Sequence, residues 1–299
     1  MQRYRILHLT TYSFEALVRL DAHALRLRPR EGHELRIESS TLRITPPAKL
    51  RWHRDAEDNS VAIASFREPT AQLLIESELV VQQYHQAPLD FLVDEEAAHF
   101  PFRYSDEDQL LLAPYRQEPG ARSSALLTDW LAGLHQPGER IETYALLERI
   151  SDLIHASLRY QRREEPGVQT AEHTLAGGSG SCRDFATLFM GAARQLGFAA
   201  RFVSGYLHDP AAAAAAGSTH AWAEVYLPGA GWKGFDPTIG ALAGPHHMAV
   251  AVARHPEAVP PVAGSFVGPS GATLSVGVWV TRLSERPLAP LLAPEMPTN

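Results

Sequence analysis

The stretch Gly177-Gly178-Ser179-Gly180-Ser181-Cys182-Arg183-Asp184-Phe185 turns a glycine-rich run into the start of a helix. Beyond it Phe185, Leu188, Phe189, Ala193 and Leu196 fall on one helical face, and Gly197 stops the pattern. Ser181 followed by Asp184 is a capping box with Asp in place of the usual Glu or Gln, so Cys182 takes the first helical position. The helix dipole and unpaired N–H groups favour an anion there, a thiolate included. The same N–H groups are placed to receive an oxyanion during acyl transfer. The upstream glycines are expected to let a substrate backbone approach closely.

A thiolate nucleophile needs a base that is itself held by a third group. Downstream, His220, Trp222 and Glu224 alternate onto one face of a predicted strand, and Trp232 to Asp236 form the next. A hairpin loop centred on Pro228 sets His220 opposite Asp236; one centred on Gly229 makes them diagonal neighbours. Either of these odd-numbered loops yields a His–Asp pair, whereas an even-numbered loop would break it. Cys182, His220 and Asp236 are therefore the candidate catalytic set, and Trp222 and Trp232 read as core or cleft wall.

Two more apolar stripes of helical period precede the cysteine, Leu126 to Leu134 and Leu146 to Leu158. Strands are expected at Ala200–Leu207, His220–Leu227, Trp232–Asp236, Met248–Ala253 and Ala272–Arg282. The first hundred residues alternate with period two, as in Tyr4, Ile6, His8, Thr10 and in Leu73, Ile75, Ser77, Leu79, Val81. Turn clusters at Arg28–Gly32, Pro46-Pro47 and Asp55–Asn59 punctuate them. The expected class is α+β, with a β-sandwich-like antiparallel domain over 1–100 and a connecting region over 101–120. A helix-plus-antiparallel-sheet catalytic domain over 121–285 and a Pro-rich tail over 286–299 follow. The alanine run 211–216 reads as a loop between strands.

Composition narrows the function. The 299 residues are 45% hydrophobic and 20% charged, with 34 acids against 27 bases and a formal charge of −7. No basic run is present, which argues against nucleic acid as a partner. No apolar stretch suits a signal peptide or membrane span, so a cytoplasmic protein without membrane attachment is expected. A single cysteine excludes an internal disulfide and a Cys-pair zinc site, and it suits a reducing compartment. His246 and His247 are adjacent, so on a strand they face opposite ways and make a poor metal pair. The run from Gly177 to Ser181 lacks the last glycine of a nucleophile elbow, and no phosphate-binding loop occurs. No cofactor or metal is expected.

Four blocks in order, Gly180–Ala186, Arg201–Leu207, His220–Tyr226 and Gly231–Thr238, resemble the core of bacterial transglutaminase-like proteins. The segment Leu25–Arg30 resembles the β-rich N-terminal domain of one bacterial branch, and Ala253–Gly264 resembles that branch's C-terminal block. The resemblance implies a papain-like thiol fold with Cys182 as nucleophile, His220 as base and acid, and Asp236 orienting the imidazole. It also implies an aromatic side chain upstream of the cysteine near the oxyanion. Tyr160 is the candidate for that place, and Trp222 is a second aromatic on the oxyanion or substrate side. Animal relatives bind calcium, but no acidic loop of that density occurs here. The expected activity is formation of a Cys thioester from a peptide or side-chain amide, resolved by water as in a cysteine peptidase or amidase. A protein-glutamine transglutaminase with an amine acceptor is one alternative, and a non-catalytic peptide-binding or scaffold module is another. The expected partner is a peptide or protein substrate.

Overall fold

A computed structural model of the chain describes residues 1–284 except 85–86, 118–124, 136–137, 164, 166, 211–216, 218 and 270. The alanine run 211–216 and the tail 286–299 lie outside the described residues. The N-terminal strands are β1 (Gln2–Leu20), β2 (His23–Leu25), β3 (Leu35–Thr45), β4 (Lys49–Arg54), β5 (Ser60–Ser65) and β6 (Thr70–Gln83). Strands β1, β6 and β3 pair antiparallel in one sheet, and β2, β5 and β4 in another. The period of two is cashed out in burial: Tyr4, Ile6, His8 and Thr10 are buried, as are Leu73, Ile75, Ser77, Leu79 and Val81. Phe14, Val18, Leu25, Ala62, Ala64, Leu73 and Ile75 fill the space between the two sheets, which makes the sandwich.

The chain continues through β7 (His99–Phe100), α1 (Asp106–Arg116), α2 (Ala125–Ala132), β8 (Ile141–Glu142), α3 (Thr143–Ser157), β9 (Arg159–Tyr160), α4 (Ala171–Gly177), β10 (Ser179–Gly180) and α5 (Cys182–Gln195). It then enters β11 (Ala200–Leu207), β12 (His220–Leu227), β13 (Gly231–Asp236), β14 (Ala241–Leu242) and β15 (His247–Ala253), and ends in β16 (Val262–Ala263), β17 (Phe266–Val267) and β18 (Ala272–Leu283). Strands β14-β13-β12-β11-β15 form an antiparallel sheet in that order. Helix α5 lays its apolar face on it: Phe185, Leu188 and Phe189 share a core with Ala221, Ala223, Val225 and Phe235. Phe189 stacks on Phe235 at 5.3 Å. Residues Tyr4, Ile6, Leu79 and Val81 of the first sheet belong to this same core, so the sandwich and the helix–sheet unit are packed together. The fold is α+β, as expected. No helix among the described residues is long and apolar enough to cross a membrane.

Two boundaries move. Strand β18, assigned by sequence to the 121–285 unit, pairs with β1 from Arg3↔Leu283 to Phe14↔Ala272. Strands β16 and β17 likewise join β2 and β1. A strand edge is satisfied by any chain that brings N–H and C=O groups in register, so sequence distance gives no warning of such pairing. The second change is α1, which occupies much of the expected connecting region 101–120. Its Ser105 hydroxyl accepts from the Asp108 N–H at 3.1 Å, with Asp106, Glu107 and Asp108 at the positive end of the helix dipole. These signals outweigh the prolines that had suggested irregular chain.

Candidate active site

The position of Cys182 is built by a buried carboxylate. Asp184 Oδ2 accepts from the Ser181 backbone N–H and from the Ser181 hydroxyl, each at 2.8 Å. Its Oδ1 accepts from the Gln169 N–H at 2.7 Å, and Arg163 Nη1 lies 2.8 and 2.9 Å from the two oxygens. Burial alone would raise the Asp184 pKa; the N–H groups of Gln169 and Ser181 together with Arg163 hold it below the ordinary carboxylate value. This fixes Cys182 at the first position of α5, with 7% of its surface exposed. Two of the glycines are required by the backbone itself. Gly178 ends α4 at φ +61°, and a Cβ on Gly180 would lie 2.9 Å from Asp184 Cβ and 3.3 Å from Phe185 Cε1. Gly180→Ala should therefore destabilise the protein by about 1–3 kcal/mol in urea titration.

The β12–β13 hairpin takes the register centred on Gly229: Leu227↔Gly231 closes it and Ala223↔Phe235 is the last pair. That leaves Asp236 level with Trp222 and diagonal to His220. The diagonal is bridged, with His220 Nε2 2.6 Å from Asp236 Oδ2. Cys182 lies near enough to the same ring to add to the rise of its pKa. Asp236 is fully buried, and its Oδ1 accepts from the Thr238 N–H at 2.9 Å. Burial by itself would lower the His220 pKa, but the charge and hydrogen bond of Asp236, aided by Cys182, push it up to about 10. Burial would conversely raise Asp236, yet His220 and His247 hold it well below the usual carboxylate range.

The signs of these shifts define a pH window. A raised His220 contributes stability fully below its ordinary value of 6.5, and that contribution is lost as pH climbs toward 10. A lowered Asp236 contributes above its ordinary 3.8 and is lost below it. The stability gap between the protein and its His220→Gln variant should thus be widest between pH 4.5 and 6.5 and close toward pH 10, as read by urea titration at several pH values.

Sequence reasoning missed His247, the first residue of β15. Its Nε2 is 3.0 Å from the same Asp236 Oδ2, while its Nδ1 accepts from the Gly244 N–H at 3.1 Å. The alternation argument was sound: His246 turns the other way, 3.0 Å from the Tyr4 hydroxyl. What it lacked was the path of residues 243–246 from β14 to the far edge of the sheet, which no local pattern encodes. Among the described residues His220, Asp236 and His247 are the grouping with metal-ligand chemistry, their ligand atoms lying within 4.8 Å of one another. All three atoms are already joined by hydrogen bonds, both rings converging on one oxygen.

Tyr160 is brought beside the cysteine. The parallel β9–β10 bridge sets it level with Gly180, two residues before Cys182, and its ring meets Phe185 edge-on at 6.4 Å. It is 49% exposed, and its pKa is raised by burial and next by the Cys182 charge. Trp222 is packed as the core or cleft-wall reading has it: 2% exposed, it backs the imidazoles, stacked on His220 at 6.2 Å and edge-on to His247 at 5.1 Å. Gly205 of β11 makes the room, since a Cβ there would lie 2.6 Å from the Trp222 ring. A cavity of about 440 Å³ lies behind Trp222 and His247; neither Cys182 nor His220 lines it.

Residues 136–237 match the model of the transglutaminase-like superfamily, and residues 4–82 match that of the bacterial transglutaminase-like N-terminal region. The chain belongs to the bacterial transglutaminase-like family, with both regions in the family's order. The protein ML0607 of Mycobacterium leprae is 26% identical over 288 residues, covering 95% of this chain and 100% of its own. Rv2569c of Mycobacterium tuberculosis is 28% identical over 286 residues, covering 88% and 87%. Both relatives are described as uncharacterized. Among solved structures, a protein from Cytophaga hutchinsonii provisionally described as a cysteine protease superposes with a TM-score of 0.74 at 19% identity, over 95% of this chain and 92% of that one. That likeness is one of fold. Family and site together are those of a thiol-dependent enzyme.

Proposed function

We propose that the protein is an amide hydrolase acting on peptide or protein side-chain or main-chain amides through a Cys182 thioester. The observation that carries this reading is the Cys182–His220–Asp236 arrangement, in which one imidazole is held 2.6 Å from a buried carboxylate and lies near enough to the thiol at the α5 N-terminus for it to raise the ring's pKa. Cys182 Sγ attacks the amide carbonyl, forming the C–S bond while the proton it loses resides on His220. The tetrahedral oxyanion is received by the backbone N–H of Cys182 at the α5 N-terminus, with Tyr160 level with Gly180 on the neighbouring strand. Collapse breaks the C–N bond, and the imidazolium gives its proton to the departing amine. Water, deprotonated by His220, then attacks the thioester, releasing the acid and restoring the thiol.

The test is incubation with a glutamine-rich protein and a small fluorescent primary amine, reading new amino termini, ammonia and amine incorporation together. New termini, or ammonia without incorporation, support hydrolysis. Incorporation of the amine would replace it by transfer. Cys182→Ala should abolish every product; in addition, iodoacetamide at pH 7 should label Cys182 at least ~10-fold faster than in His220→Ala. Equal labelling of the two would overturn the reading of His220.

A further inference from the structure

The three donors around Asp236 come from three separate pieces of chain. His220 Nε2 belongs to β12, the Thr238 N–H to the turn after β13, and His247 Nε2 to the start of β15. The last is the one the proposed chemistry does not use. A His ring has two nitrogens, and the hydrogen bond at one dictates the state of the other. Because His247 Nδ1 accepts from the Gly244 N–H, it carries no proton, so Nε2 must carry the ring's only one and donate it to Asp236. The ring is therefore a neutral donor with a fixed tautomer, and its orientation is further pinned by Trp222, edge-on at 5.1 Å.

The backbone of the same residue is held from the other sheet. Gln83, the last residue of β6 and 4% exposed, donates from Nε2 to the His247 carbonyl at 2.9 Å. A continuous line of hydrogen bonds thus runs from the N-terminal sandwich through Gln83 and His247 to Asp236 and His220. A buried carboxylate with a single donor on Oδ2 could rotate about its Cβ–Cγ bond; one fixed by donors on both oxygens and from both sides cannot do so without leaving a buried polar group unpaired.

We propose that His247 is a positioning residue, a neutral imidazole that locks the Asp236 carboxylate toward His220 and is itself anchored to the N-terminal sandwich through Gln83. This rests on the Cys182–His220–Asp236 reading given above. It assigns that sandwich a part in the chemistry: it holds the third member of the site in register.

Paired substitutions separate the role from simple packing. His247→Gln can still reach Asp236 with an amide N–H and accept from Gly244 with its oxygen. His247→Asn keeps the Gly244 contact but is too short to reach Asp236. Iodoacetamide labelling of Cys182 at pH 7, corrected for folded fraction by the melting curve, should fall about 10–100-fold in the Asn variant and stay within about 3-fold of the unsubstituted protein in the Gln variant. Gln83→Leu should slow labelling about 3–10-fold. Equal rates for Asn and Gln, or a loss of melting temperature with labelling unchanged, would overturn the proposal, and an unaffected Gln83→Leu would remove the sandwich from it. If the Asn variant does not fold, 15N-histidine spectra of the unsubstituted protein decide: His247 should show a bare Nδ1 and a protonated Nε2 at neutral pH, and the reverse tautomer or a doubly protonated ring overturns it. Labelling that ignores His220 as well would instead defeat the underlying hydrolase reading, whereas labelling that depends on His220 but not on His247 defeats this inference alone.

Discussion

Asp236→Asn should lower turnover by about 10²–10⁴-fold, although it changes only one oxygen to nitrogen. The cause is donor arithmetic. Asp236 Oδ2 accepts from His220 Nε2 and His247 Nε2, and Oδ1 accepts from the Thr238 N–H. An asparagine has one accepting oxygen and one donating amide. If the oxygen takes the Oδ2 place, the amide faces the Thr238 N–H; if the amide takes it, it faces two ring N–H groups. In the second orientation His220 is driven to carry its proton on Nδ1, the nitrogen left to receive the Cys182 proton in the proposed chemistry. The substitution also removes the charge that raises His220 against its burial. A mismatched buried donor costs about 1–3 kcal/mol, so stability should fall with activity. Steady-state rates and urea titration on the same preparation check both, and an active Asp236→Asn protein would refute the role of this carboxylate.

Asp184→Ala should cost about 3–5 kcal/mol of stability. It leaves the Arg163 guanidinium, 17% exposed, without its buried partner, and it strands the N–H groups of Ser181 and Gln169. Since its pKa is lowered in the fold, Asp184 stabilises above its ordinary value of 3.8, and the contribution is lost as pH falls through its lowered one. The gap between the two proteins should therefore be wide at pH 7 and narrow on acidification. Cys182 begins the helix that this carboxylate caps, so labelling of the thiol should become less dependent on His220 in the variant. A melting temperature equal to that of the unsubstituted protein would show that the hub is dispensable.

Much of this was legible in the chain because it is local. Helix α5, its cap at Ser181 and Asp184, the strands β11, β12 and β13, and the burial of alternate residues in β1 and β6 all follow from periods of 3.6 and 2 and from short-range hydrogen bonds. The sequence left the β12–β13 loop odd or even, with two odd registers that pair His220 and Asp236, and the structure takes the one centred on Gly229. Helix α1 was legible too, in Ser105 and the acids after it, but proline punctuation masked the signal.

By itself, then, the sequence determined the helix start that carries Cys182, the strand pair that carries His220 and Asp236, and the alternation of the N-terminal sandwich. Tertiary structure decided the rest. It paired β18 with β1 across most of the chain, turned Trp222 inward behind the imidazoles, and brought His247 from the far edge of the sheet onto Asp236. The physical reason is one of range. Periodicity and capping act between residues a few positions apart, whereas a sheet edge or a buried carboxylate accepts any donor that packing delivers, whatever its distance along the chain.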